Sequence, residues 1–357
     1  MNQGAAQDAD LLLAGDVGGT KTDLAVVSAA AGPRQPLAKR RYPSADYAEL
    51  AEMAREFLDE AGLRVRAASF DVAGPVLHGA AKLTNLTWRL DEASLAAALG
   101  VERVWLMNDL VAIASAIPLL NADELHQVKA GQAAEGGAIA VLAPGTGLGE
   151  AFLILSEDGY EPHPSEGGHC AFAPTAELEI ELLRSLWQEF DHVSYERVAS
   201  GVGIPNLYEF LRDVHGIPES PELARAVAAT EDRTRPILQA ALTGPNPDPL
   251  AVATMELFLG ILGTEATNLS LKVLATGGLY LAGGIAQVLR QQLSSDAFLA
   301  AFVRAGRFGA MLEQVPVHVI MGPEVALLGA ASEGLHRLGR LHSTAVPGAT
   351  ADPRQMQ

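Results

Sequence analysis

Residues 11–27 read LLLAGDVGGTKTDLAVV: an aliphatic run, an Asp-Val-Gly-Gly-Thr-Lys break, and a second aliphatic run. The flanks Leu11–Ala14 and Leu24–Val27 are dense in aliphatic residues and predict buried strands. Gly18 and Gly19 allow the backbone to turn tightly and to approach a ligand closely. They are also a general hairpin signal, so the turn alone has a purely structural reading. Asp16, Thr20 and Lys21 around it are polar groups with chemistry to offer. The stretch is not a P-loop, because that motif needs Gly-Lys-Ser/Thr and Thr20 stands where its last glycine belongs.

Residues 138–154, AIAVLAPGTGLGEAFLI, repeat the plan of aliphatic strand, glycine-threonine turn and aliphatic strand. Two such hairpins suggest a duplicated domain. Gly145-Thr146-Gly147-Leu148-Gly149 is not a dinucleotide fingerprint, since a strand follows it where that fingerprint opens a helix. Backbone N–H groups and threonine hydroxyls in two such turns suit phosphate oxygens; two ordinary hairpins are the alternative. A third glycine turn, LYLAGGIAQVL at 279–289, leads from a strand to a helix.

Between these landmarks, strands and helices alternate. YAELAEMAREFLDEA (Tyr47–Ala61) has helical spacing and stops at Gly62. AASFDVAGPV predicts a strand running into a Gly-Pro turn, and DEASLAAALG a short helix. VERVWLMNDL predicts a strand ending in Asn108-Asp109, with a helix through VAIASAIPLL. Thr243–Leu250 is a proline-rich loop. This order argues for an α/β fold with mostly buried sheets.

Composition narrows the function. The chain has 357 residues, 49% hydrophobic and 19% charged, a globular composition. Its 25 basic against 43 acidic residues leave a net charge of −18, which disfavours nucleic-acid backbones and anionic membranes as partners. A phosphorylated ligand would need local backbone groups and a metal ion to manage its charge. Cys170 is the single cysteine, which excludes an intrachain disulfide and a cysteine-based zinc site and fits a reducing cytoplasm. The acidic start MNQGAAQDAD does not read as a secretory signal. No stretch approaches 18 unbroken apolar residues, so no membrane span is expected.

Asn108-Asp109 has two readings: a helix cap, or a general base at the carboxyl end of a sheet strand. In PSEGGHCAFAP, Glu166 and His169 flank two glycines. The pair lacks the further ligands of a zinc site, but a carboxylate and an imidazole suit sugar hydroxyls. Glu196, before the Ser-Gly of YERVASGVGIPNLYEFL, reads on its own as a favourable first-turn acid.

In order, GDVGGTKTDLAVV, VAGPV with LTNLTWRL, MNDLVAIASAIPLL, APGTGLGEAFL, SEGGHCAFAP, ERVASGVGIPNLY, LAGGIA and PEVALLGAAS span roughly residues 11 to 335. On these motifs the chain resembles the zinc-free branch of the bacterial-type glucokinases, a family of the sugar kinase, heat-shock-70 and actin superfamily. The resemblance implies a two-domain actin-like (ribonuclease H-like) ATPase fold of α/β class, with a cleft between a small and a large domain. The small domain would comprise 1–118 plus 323–343 and the large one 119–322, followed by a flexible tail over 344–357.

It also implies ATP-dependent phosphorylation of D-glucose at the 6-hydroxyl, in a cytoplasmic homodimer that binds neither nucleic acid nor membrane. Asp109 would be the catalytic base, with Asn108, Asp109, Glu166, His169 and Glu196 on the sugar. Asp16 would hold Mg²⁺ through ATP. Gly18, Gly19, Thr20, Lys21, Gly145, Thr146 and Gly147 would line the phosphates, and Gly283 and Gly284 the adenosine. No zinc is expected. Lys21 departs from the Asn of many bacterial glucokinases and matches the related repressor–kinase family, which typically carries a cysteine-rich zinc motif that Cys170 alone cannot complete. Pro144 and Ser165 (often Gly in the family) are further departures. The alternatives are a kinase for mannose, N-acetylglucosamine or fructose, or a catalytically silent sugar sensor. Against the sensor, only about ten residues precede the first strand, too few for the helix-turn-helix module usual in such regulators.

Overall fold

The computed structural model describes residues 11–83 and 88–344, which group into two compact units. Residues 84–87 of the LTNLTWRL motif, and the expected tail beyond Thr344, lie outside the described residues.

The first unit is Met1–Pro118 with Glu324–Gln357. β1 (Leu11–Val17) and β2 (Lys21–Ser28) pair antiparallel, from Leu11 opposite Ser28 to Val17 opposite Thr22. Both strands outrun the aliphatic stretches that predict them, so Asp16 is a strand residue and the turn narrows to Gly18–Thr20. The backbone ladder, not side-chain hydrophobicity, sets these strand ends.

β3 (Ala38–Pro43) adds to β2, and α1 (Leu50–Ala61) follows, capped by Gly62 at φ 64. The helix begins later than the expected Tyr47. Tyr47 is extended instead, at φ −121, and its ring packs edge-on against Tyr42, centroids 5.6 Å apart. β4 (Ala67–Val72) lies parallel to β1. β5 (Ala80–Lys82) pairs with β6 (Arg89–Asp91), and α2 (Glu92–Leu99) runs from the Asp91 cap to Gly100. β7 (Arg103–Asn108) lies parallel to β4 and feeds α3 (Asp109–Ala116). The sheet order is β3-β2-β1-β4-β7.

The second unit is Leu119–Pro323. β8 (Leu125–Lys129) precedes β9 (Ile139–Pro144), β10 (Leu148–Ser156) and β11 (Gly159–Ser165), an antiparallel meander. A helical stretch follows: α4 (Glu177–Leu186), α5 (Gly203–Asp213), α6 (Pro221–Ala228), α7 (Thr234–Leu242) and α8 (Pro249–Val273). The proline-rich loop ends in Asp248, whose carboxylate accepts from Leu250 and Ala251 N–H and so starts α8. β12 (Gly278–Leu281) and α9 (Gly283–Val288) come next. α10 (Asp296–Phe302), α11 (Gly309–Gln314) and β13 (Val317–Ile320) complete the unit.

The sheet order is β11-β10-β9-β12-β13-β8. With the edge strand β8 set aside, both sheets have one plan: a three-strand antiparallel meander whose first strand is also paired with a parallel strand, and that one with another. The repeated hairpin motif is thus the opening of a repeated sheet.

α8 is long and apolar enough to cross a membrane by length and composition, yet 67% of its most apolar window is buried inside its own unit. Phe258, Leu259, Ile261, Leu262 and Leu269 anchor the core beside Phe298 and Phe302 of α10. The last helix, α12 (Val325–Thr344), returns to the first unit. There Leu327, Ala331 and Leu338 cover Leu12, Ala14 and Val27.

Candidate active site

In the first unit the parallel register sets Asp16 of β1 beside Asp71 of β4, and Val72 beside Asn108 of β7. Three acids therefore gather at the carboxyl ends of neighbouring strands, where open α/β sheets receive ligands.

Asn108 ends β7 and caps α3: its Oδ1 accepts from Leu110 N–H at 2.9 Å and its Nδ2 donates to Gly74 O at 3.0 Å. The same Leu110 N–H reaches Asp109 Oδ1 at 2.9 Å. The cap reading of Asn108 is met, and the Leu110 N–H that it caps also fixes the neighbouring Asp109 carboxyl. Burial pushes the Asp109 carboxyl up to about 6, against the pull of the Leu110 N–H, and the nearby Asp16 charge adds to the rise.

Asp16 is likewise raised, by burial first and by Asp23 second, with Asp71, Lys21 and Arg41 pulling the other way. Asp71 was not singled out by sequence, although a lone acid in the aliphatic run ASFDVA is a signal. It is fully buried, and among the described residues neither of its oxygens meets a hydrogen-bond donor. Burial and the neighbouring Asp16 and Asp109 push it well above the carboxylate range. A proton on Asp71 turns its repulsion with Asp16 into an O–H donation.

The Gly18–Thr20 turn is closed by Gly18 N–H on Lys21 O at 3.0 Å. Ser44, another residue that sequence reasoning passed over, clamps it from the side. Its Oγ donates to Gly18 O at 2.7 Å and its N–H to Thr20 O at 3.0 Å. Thr20 and Lys21 remain exposed.

In the second unit the Gly145–Gly147 turn is held by the segment after Glu196. Gly201 N–H donates to Gly145 O at 2.8 Å and Val202 N–H to Thr146 O at 3.0 Å, leaving Thr146 exposed. Gly283 packs onto the same turn. It has φ +85, and a Cβ there would lie 2.7 Å from Pro144 O, so glycine is required on both counts. Gly284 follows in the first turn of α9.

Glu166, His169 and Glu196 come together. His169 Nε2 lies 3.8 Å from Glu166 Oε2, and its Nδ1 lies 3.9 Å from Glu196 Oε1. Glu196 sits in the short 3₁₀ turn Tyr195–Arg197, ahead of α5 and not in that helix, and its Oε2 accepts from Leu148 N–H at 3.1 Å. One carboxylate thus ties the phosphate-type turn to the histidine. Glu166 and His169 are exposed, an arrangement of acceptors and an imidazole open to a polyhydroxylated ligand.

Among the described residues no group of three or more His, Cys, Asp or Glu is arranged to hold a metal by itself. Asp16 offers a single carboxylate in an acid-rich setting, which fits a Mg²⁺ that keeps water and phosphate oxygens as its other ligands.

Residues 13–336 match the family described as Glucokinase. A Nostoc punctiforme protein named Glucokinase is 40% identical over 335 residues, which span 90% of this chain and 98% of the relative. A Synechocystis protein of the same name is 39% identical over 343 residues, 89% of this chain and 96% of the relative. The crystal structure of glucokinase from an Antarctic psychrotroph is similar at a TM-score of 0.77 and 32% identity, covering 91% of this chain and 98% of that one.

Proposed function

This chain belongs to the glucokinase family, and from that premise we propose that it transfers the γ-phosphoryl group of ATP to the 6-hydroxyl of D-glucose with Asp109 as general base. The observation that carries the base assignment is the Asp109 carboxyl itself, desolvated, raised to about 6 and fixed by Leu110 N–H at the end of β7. Near neutral pH it is ionised, yet basic enough to accept a proton.

The 6-oxygen bonds to the γ-phosphorus, the bond from that phosphorus to the bridging oxygen of ADP breaks, and the hydroxyl proton passes to Asp109. Asn108, Glu166, His169 and Glu196 hold the remaining hydroxyls. The Gly18–Thr20 and Gly145–Gly147 turns present backbone N–H groups and threonine hydroxyls to the phosphates, with Lys21 beside the first turn, and Gly283 and Gly284 approach the adenosine. Mg²⁺, held through ATP at Asp16, supplies charge neutralisation. Phosphoryl transfer asks the protein mainly for positioning and electrostatic stabilisation, and these residues offer both.

The test is ADP release by the purified protein with MgATP and a panel of hexoses, beside Asp109→Asn. Turnover strongest with glucose, with kcat lowered about 10²–10⁴-fold in the variant, is the expected result. Preferred turnover of mannose, N-acetylglucosamine or fructose reassigns the substrate, and sugar binding without turnover makes the protein a sensor. Wild-type activity in Asp109→Asn removes Asp109 as the base.

A further inference from the structure

Beneath the turns that carry Glu166, His169 and Glu196 lies a second pair of acids that the reaction does not use. Glu150 on β10 and Glu265 on α8 are 2% and 0% exposed. Their carboxyls interact directly, and Oε1 of each finds no hydrogen-bond donor among the described residues. Two facing buried carboxylates with unmet oxygens are a costly arrangement unless one hydrogen lies between them.

The pair touches both sugar-side turns. Glu150 stands opposite Ser165 in the β10–β11 register, and Ser165 Oγ accepts from Gly167 N–H at 3.0 Å. Gly167 lies directly on the Glu150 carboxyl: a Cβ there would collide with Oε2, so the segment from Glu166 to His169 rests on this acid. On the other side Glu265 Oε2 accepts from Asn268 Nδ2 at 2.9 Å, and the same amide donates to Tyr195 Oη at 2.9 Å. Tyr195 is fully buried and immediately precedes Glu196. The chain Gly167–Glu150–Glu265–Asn268–Tyr195 therefore braces both turns from inside the domain.

We propose that Glu150 and Glu265 share one proton, and that the protonated pair is a positioning element setting sugar affinity through the turns of Glu166, His169 and Glu196. The inference rests on the sugar-holding role given to those three residues. Other titratable or charged groups facing the pair are Lys272, whose Nζ lies 3.7 Å from Glu265 Oε1 with its side chain half exposed, and Tyr195, whose hydroxyl stays protonated. Neither supplies the hydrogen between the two carboxyls. Lys272 is beyond hydrogen-bond distance. The Tyr195 O–H, free to donate because its oxygen accepts from Asn268, acts on Glu265 and not on Glu150. In support, burial and the partner acid push Glu150 up to about 8, and burial raises Glu265 as well. Loss of the proton at alkaline pH places two charges inside the domain, which forces the carboxyls apart and displaces the backbone at Gly167.

The test measures KM for glucose from pH 6.5 to 9.5 at saturating MgATP. The wild-type KM should rise about tenfold between pH 7 and 9, since the competent protonated fraction falls tenfold per unit above about 8. Meanwhile kcat and the KM for ATP should change less than twofold. Glu150→Gln places an amide donor where the proton sits and should flatten the glucose KM profile to within about twofold over the same range. Glu150→Leu removes both the donor and the acceptor and should raise that KM throughout. If Glu150→Gln does not fold, Glu265→Gln makes the same comparison. A flat wild-type profile, or an equal alkaline rise in the Gln variant, overturns the proposal. A wild-type protein that turns over no glucose at any pH overturns the sugar-holding premise instead.

Discussion

Asp109 shares a single N–H, that of Leu110, with the cap residue beside it, and this sharing holds the proposed base at the start of the helix. Its ionisation controls two observables. On the proposed base role activity needs the carboxylate, so kcat/KM for glucose should fall as pH drops through about 6, tenfold per unit below it, in a pH–rate profile. Stability runs the other way. The folded-state value lies above the unfolded one, so Asp109 contributes stability that is complete below about 4 and lost as pH rises through about 6. Asp109→Asn keeps an oxygen acceptor for Leu110 without the buried charge. It should gain on the order of 1–3 kcal/mol at pH 8 and nothing at pH 4, read by thermal unfolding at the two pH values.

Two elements can be tested without touching a polar side chain. Gly283→Ala forces a side chain into a left-handed position against Pro144 O, displacing the start of α9 from the Gly145–Gly147 turn. The expected cost is about 1–3 kcal/mol of stability. Kinetically, the KM for ATP should rise several-fold and that for glucose stay within twofold; steady-state kinetics with each substrate varied would separate them. Leu338→Ala opens a cavity under α12, where Leu338 is 1% exposed among Leu12, Ala14 and Val27. Urea unfolding should show a loss of about 2–4 kcal/mol.

The same elements show what the sequence could reveal. The aliphatic runs around two glycine turns marked both hairpins because β1, β2 and β9 are buried nearly throughout, and β10 over most of its first six residues. β3, AKRRYP, and β8, LHQVK, carried no such signal: each is a sheet-edge strand with mostly polar side chains. At the candidate site, Glu166 and His169 stood out as polar residues in a glycine-loosened loop. Glu196 was indistinguishable from a helix-start acid, since its tie to Leu148 N–H spans a distance that no local pattern encodes. Asp71 and Glu150 each stand as a lone acid beside aliphatic residues, a signal the sequence reading passed over, and Glu265 lies among Thr264, Thr267 and Asn268 with no signal at all. Only the register and the packing show which acid faces which.

For the molecule as a whole, the charge of −18 opposes an anionic substrate and leaves a neutral one unaffected. With the phosphates assigned to local turns in the proposed function, the surrounding negative field opposes approach of ATP, so screening should help encounter. Raising NaCl from 20 to 150 mM is expected to increase kcat/KM for ATP by up to about threefold while leaving that for glucose unchanged. A uniform change in both, measured at fixed free Mg²⁺, would refute the electrostatic account.

The return of α12 to the first unit has a consequence during synthesis. β1, β2 and β4 are made early, yet the helix covering one face of their sheet is encoded after the whole of Leu119–Pro323. At translation rates of about 5–20 residues per second, that face waits roughly 10–40 s for its cover. Throughout that interval the ribosome-bound chain leaves Leu12, Ala14 and Val27 without the cover of α12. Until α12 is made, that apolar face is an expected contact for holding chaperones, and a truncation just before Val325 should leave it uncovered.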